Sequence, residues 1–347
     1  MVEARAALCP ACRGLEVIEG CKYWGESEAV RSQLLRALLP SLTDLNLCNW
    51  DQSYDECFVS VGARQLKNLE ITLFDSRVRP SVEMLESLPA LETLSYGMTN
   101  LQSSKPEDLI SAFNRGVAFQ RLHVFHLWNC DIDDADWSHL LGALGGAACA
   151  PHLTSLALAK SLRPVSMAIF SDLLGENAFP MLTTLNICFN PIGDAGLEFL
   201  VQGLLMPACQ TRLKKLDLFH VKIGDKGMAA LASTVRAGRF KRMESCLLFH
   251  RNANVTDEGV CALAQAVEDT GTHGLSMLQR LEARVLQSVT ALGIRALSSA
   301  LIRNCPHVML LDFTNFSYKK EDKEDLHDEI AEMVLAAGCQ YRLEVKV

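Results

Sequence analysis

The segment LTTLNICFNPIGDAGLEFL, residues 182–200, decides how the rest of the chain is read. It has the form L-x-x-L-x-[LI]-x-x-N-x-I-G-D-x-G. Alternate side chains of a strand face opposite ways, so Leu185 and Ile187 are expected to point inward while Thr184, Asn186 and Cys188 point out. Two further copies follow: LKKLDLFHVKIGDKGMAAL from Leu213, and MESCLLFHRNANVTDEGVCAL from Met243 with a short insertion. Asp194, Asp225 and Asp257 precede apolar runs with helical spacing, such as Met228, Leu231 and Val235, so each Asp can cap the N–H groups of a new helix. The nearby Gly196, Gly227 and Gly259 are expected to let helix and strand layers pack closely.

Working outward, the first apolar residue of each short strand serves as an anchor. The series is Leu15, Leu45, Leu69, Leu94, Phe125, Leu156, Leu185, Leu216, Cys246, Leu281, Leu311 and Leu343, with a mean step of about 30 residues and extremes of 24 and 35. This pattern resembles the ribonuclease-inhibitor-like class of leucine-rich repeats, whose units of roughly 28 to 29 residues pair a strand with an α-helix. The resemblance covers nearly the whole chain and is weakest at residues 1–40 and 66–115. It implies an α/β fold: a right-handed solenoid, or horseshoe, of about 12 repeats, with a parallel β-sheet on the concave face and α-helices on the convex face. A single domain over 1–347 is expected, with capping repeats at 1–40 and 317–347.

At 347 residues, 49% hydrophobic and 21% charged, the chain can bury a large core. It carries neither a signal-peptide pattern nor an apolar run near the roughly 18 residues of a membrane span. Thirteen scattered cysteines read as reduced thiols, and hence as an intracellular, cytoplasmic protein with the nucleus as the alternative compartment. A net charge of −8 argues against nucleic acid and anionic membranes as partners, although a local basic patch is compatible with it.

Chemistry-bearing motifs are few. Cys9-Pro-Ala-Cys12, with Cys21, lacks the second cluster of a zinc site, and Cys9 holds the same slot ahead of a strand as Cys149, Cys209 and Cys305. His220 and His250 recur in matching LFH strings and read as a surface pair at the strand ends. Asp217, Glu282 and Asp312 read as an acidic stripe separated by other repeats, not as an acid/base couple. The run from Lys319 to Glu329 reads as the solvated face of a last helix. No metal, cofactor or small-molecule substrate is expected, and no enzyme motif is present.

The inner face is the informative surface. Three residues after each anchor the outward column contains Trp128, Phe219, Phe249 and Arg284. One residue after the anchors come His126, Asn186, Asp217, Glu282 and Asp312, with Lys215 and Arg280 on the preceding side. Exposed aromatics framed by charges are the composition of interface hot spots. The expectation is a monomeric, non-catalytic scaffold or recognition module binding a protein partner on its concave face. The Ran GTPase activators are similar in being built of such repeats, although their functional residues cannot be placed here. F-box leucine-rich-repeat receptors of ubiquitin ligases resemble the chain in segments such as CPHVMLLDF from Cys305, yet the first repeat leaves no room for an F-box.

Overall fold

The computed structural model describes residues 14–18, 28–48, 50–73, 79–98, 106–130, 132–160, 162–247, 251–284, 286–314, 320–337 and 344–346. The chain falls into two compact units, Met1–Ala157 and Leu158–Val347. Both are α/β leucine-rich-repeat solenoids.

In the first unit, β1 (Gly14–Ile18), β2 (Asp44–Cys48), β3 (Asn68–Leu73), β4 (Thr93–Met98) and β5 (Val124–Trp128) alternate with α1 (Glu28–Leu38), α2 (Gln52–Val61), α3 (Val82–Glu86), α4 (Glu107–Arg115) and α5 (Asp134–Gly146). The strands run parallel in chain order, and the anchors lie in register: Leu15 on Leu45, Leu45 on Leu69, Leu69 on Leu94, Leu94 on Phe125. Three helices begin where a polar side chain accepts from their first turn: Asp51 from Ser53 N–H, Ser81 from Met84 N–H and Asp133 from Asp136 N–H. The buried ring of Phe113 lies 5.1 Å from Phe119 and 5.4 Å from the anchor Phe125, joining helix, turn and strand in one core.

The strand β6 (Ser155–Ala159) spans the boundary between the units. The second unit continues with α6 (Pro164–Gly175), β7 (Thr184–Asn186), α7 (Gly193–Leu205), β8 (Lys215–Asp217), α8 (Asp225–Arg236), β9 (Ser245–Leu247) and α9 (Asp257–Thr270). It ends with β10 (Arg280–Glu282), α10 (Ala291–Asn304), β11 (Leu310–Asp312), α11 (Lys320–Ala336) and β12 (Glu344–Lys346). Leu185, Leu216, Cys246, Leu281 and Leu311 are buried and paired in series, so the alternation read from the sequence sets the register. The last anchor differs: Leu311 pairs with Val345, not Leu343, which lies outside the described residues. No described helix is long and apolar enough to cross a membrane.

The aspartates at the heads of α7, α8 and α9 do cap helices, but in the following repeat. Asp194 Oδ1 accepts from Gly224 and Gly227 N–H (2.6 and 2.9 Å), and Asp257 Oδ1 from Thr290 and Gly293 N–H (2.8 and 3.1 Å). Gly227 and Gly259 answer to the carboxylate of the preceding repeat, a Cβ on Gly227 standing 2.6 Å from Asp194 Oδ1, whereas one on Gly196 would meet Ile192. In α11, Leu326 and Ile330 are buried while Asp325, His327 and Asp328 face solvent, as the charged run predicts. Cys149, Cys209 and Cys305 are buried free thiols, and Cys9, Cys12 and Cys21 lie outside the described residues.

Candidate functional site

Each repeat of the second unit must turn its chain out of the sheet after a strand of only three residues. In three repeats an Asn or Asp side chain at the same position makes that turn. Asn186 Oδ1 accepts from Cys188 N–H at 2.9 Å, Asp217 Oδ1 from Phe219 N–H at 2.9 Å, and Asp312 Oδ1 from Thr314 N–H at 3.1 Å. These are local bonds to the backbone two residues on, the geometry of an Asx turn. Burial pushes the Asp217 carboxyl above its ordinary range and the charge of Glu282 pushes the same way, while the Phe219 N–H pulls it down.

The turn at Asp217 fixes Phe219, whose C=O also accepts from Phe189 N–H at 2.8 Å. The two rings meet edge to face with centroids 4.5 Å apart. Phe189 is 38% exposed, and it is a site residue that the strand alternation does not find. Lys160 Nζ lies 5.8 Å from the Phe189 centroid and Arg251 Cζ 5.8 Å from that of Phe219, both within cation–π range. His220 packs against both rings, at 5.9 and 6.2 Å. Lys160, Phe189, His220 and Arg251 all adopt left-handed backbone (φ 70°, 59°, 53° and 57°) without being glycine. The same conformation recurs at Asn129 (φ 56°), so it belongs to the turn that follows the strand in successive repeats and sets the direction in which these side chains leave the sheet.

The Leucine Rich repeat family model matches residues 180–201 and 210–232. Ribonuclease inhibitor of Sus scrofa is 28% identical over 188 residues, 54% of this chain and 39% of that protein. The chain carries leucine-rich repeats and is similar to the ribonuclease-inhibitor-like class. NACHT, LRR and PYD domains-containing protein 5 of Bos taurus is 26% identical over 261 residues, 72% of this chain and 22% of that one. The chain thus spans well under half the length of the curated relatives it matches. An internalin of Listeria monocytogenes superposes with a TM-score of 0.43 at 17% identity, covering 82% of this chain and 70% of that one. The two segments that match the family model carry Phe189 and Phe219, so the aromatic pair sits on the most regular part of this repeat protein.

The other sequence-derived candidates fall in different places. Lys215 and Arg280 are exposed and flank Ser245 as its partners on either neighbouring strand. Glu282 and Asp312 are not separated by other repeats but paired on adjacent strands, where Arg284 Nη2 reaches Glu282 Oε2 at 2.8 Å and Asp312 Oδ2 at 2.7 Å. Asp312 is only 1% exposed, because Arg284 and the turn to Thr314 consume its oxygens; it is corrected from a contact residue to part of the framework. Phe249 and His250 lie outside the described residues. In the first unit, the half-buried Trp128 ring lies against Gly97 of the preceding strand, where no Cβ would fit. His126 Nε2 stands 3.4 Å from Ser155 Oγ, and burial lowers its pKa. Among the described residues no three His, Cys, Asp or Glu side chains are grouped so as to hold a metal ion.

Proposed function

We propose that this leucine-rich-repeat protein is a non-catalytic recognition module that binds a protein partner on the open face of the sheet in its second unit. The observation that carries this reading is the Phe189–Phe219 pair, held edge to face at 4.5 Å between Lys160 and Arg251. An apolar centre with fixed backbone and a cationic rim suits a partner segment that presents an apolar side chain among carboxylates. Lys215 and Arg280 extend the cationic rim along the strands, and Trp128 offers a separate contact on the first unit. Asn186 and Asp217 act by holding the turns that aim the rings.

The test compares proteins captured from cell lysate, by mass spectrometry, on wild type and on two variants: Phe189→Ala/Phe219→Ala and Lys160→Glu/Arg251→Glu. Both variants should lose the principal partner by tenfold or more, while Lys226→Glu on the exposed side of α8 keeps it. Full capture by the phenylalanine variant, with an unchanged melting curve, overturns the reading.

A further inference from the structure

We propose that the second unit also carries an anion site for a phosphoryl group, in the cleft between the turns that follow α7 and α8. The cleft encloses about 390 Å³ and is lined by Arg212, Arg239, Lys241 and Arg242 together with Thr211 and Gly238. No carboxylate lines it. In a chain of net charge −8 such a gathering of one sign is unexpected unless it serves a ligand of the opposite sign.

The four cations divide into two roles. Arg239 is fixed: its Nη1 donates to Cys209 C=O at 3.0 Å, and its Nη2 to Leu205 and Met206 C=O at 3.2 and 3.0 Å. It thereby satisfies the last carbonyls of α7 and offsets the negative end of that helix, which would otherwise repel an anion. Arg212, Lys241 and Arg242 are exposed, and no described carboxylate pairs with them. Nearby surface cations of the same unit do find partners: Lys214 with Glu244 at 2.7 Å, and Arg236 with Asp269 at 2.9 Å. Three free cations around a fixed fourth match a compact, multiply charged oxyanion, and guanidinium forks fit phosphoryl oxygens in paired hydrogen bonds.

The cleft is formed by loops between helix and strand, away from Phe189 and Phe219, so this site and the partner surface stand or fall separately. The probe is pyrophosphate, titrated calorimetrically into the full chain at fixed ionic strength. The expected result is saturable one-to-one binding, weakened at least tenfold in Lys241→Glu/Arg242→Glu and unchanged in Lys160→Glu/Arg251→Glu, with ligand-free melting temperatures equal to wild type. Three outcomes each overturn it: no saturable binding by wild type, equal affinity in the Lys241→Glu/Arg242→Glu protein, or a tetraglutamate peptide that binds as tightly as pyrophosphate. The last would assign the cleft to acidic protein segments instead.

Discussion

The carboxylate of Asp225 lies beneath the first turn of the next repeat's helix, where its Oδ1 accepts from Gly259 N–H at 3.0 Å. The same oxygen takes Thr256 N–H at 2.8 Å, and Oδ2 takes the Thr256 hydroxyl at 2.7 Å. One side chain thus closes the helix of a different repeat, 31 to 34 residues away in sequence. Removing it by Asp225→Ala leaves two N–H donors without their acceptor, which costs about 2–3 kcal/mol. Gly259→Ala should cost as much or more, since its Cβ would press on Asp225 Oδ1 and stand 2.9 Å from Met228 Cβ. Urea denaturation followed by circular dichroism checks both, and a Gly259→Ala protein as stable as wild type would refute the pairing.

That relationship marks the limit of what sequence could tell. Asp and Gly recur two residues apart in three successive repeats, at 194/196, 225/227 and 257/259, and local capping logic assigns the Asp to the helix it begins. The bond runs between repeats, which no local spacing reveals. Strand anchors were legible because burial on one face forces a period of two, so Leu185 and Leu216 had to point inward. The same period misplaced the last anchor, because in LEVKV two apolar residues, Leu343 and Val345, stand two apart and alternation alone accepts either; Leu311 pairs with Val345. Phe219 was found by alternation, but Phe189 sits one residue beyond, in left-handed backbone, where alternation has stopped.

Two buried asparagines bind repeats in the same way. Asn252 Oδ1 accepts from Val221 N–H at 3.1 Å and Ile223 N–H at 3.3 Å, and its amide donates to Leu218 C=O at 3.0 Å. Asn190 serves Leu162 N–H, Leu158 C=O and Ile187 C=O alike. Asn252→Leu should destabilise the protein by about 2–4 kcal/mol, because an isosteric apolar group leaves three buried backbone groups unpaired. Hydrogen exchange at Val221 and Ile223 should accelerate together; unchanged protection at both would count against the bridge.

The buried Asp55 carboxyl is pushed up to about 6, first by burial, against the pull of Ser81 N–H at 3.1 Å; the charges of Asp108 and Glu83 add to the rise. Its ordinary value near 3.9 in the unfolded chain lies lower, so between about pH 4 and 6 the native state holds the extra proton. The stabilising contribution of this group is therefore complete below about pH 4 and is lost as pH rises through 6. Asp55→Asn keeps an acceptor for Ser81 and should be more stable than wild type at pH 7 by on the order of 1 kcal/mol, with the advantage shrinking toward pH 4. Melting temperatures of both proteins across that range decide it, and an advantage that grows on acidification would contradict the assignment.

Burial also governs the thiols. The Cys130, Cys149 and Cys305 thiols are pushed up to about 12, and Cys246 higher still, by desolvation of the thiolate. At pH 8 these four groups hold almost no thiolate, so iodoacetamide should reach them only through opening of the fold. Cys188 and Cys261 are less buried and should label first. Peptide mass spectrometry after graded exposure gives the order directly. Peroxide that does enter through openings should then prevent refolding, since a sulfinate cannot return to the Cys246 site.

Near the end of the second unit, the Arg284 guanidinium neutralises two carboxylates at once, and one of them, Asp312, is almost wholly covered. Arg284→Met should therefore cost about 3–5 kcal/mol, chiefly by stranding the Asp312 charge rather than by losing the attraction itself. Adding Asp312→Asn to that variant should recover a substantial part, since the amide still accepts from Thr314 N–H and carries no charge to bury. A double-mutant cycle in urea measures the coupling. If Arg284→Met and the double variant prove equally unstable, the cost of losing Arg284 does not come from a stranded Asp312 charge.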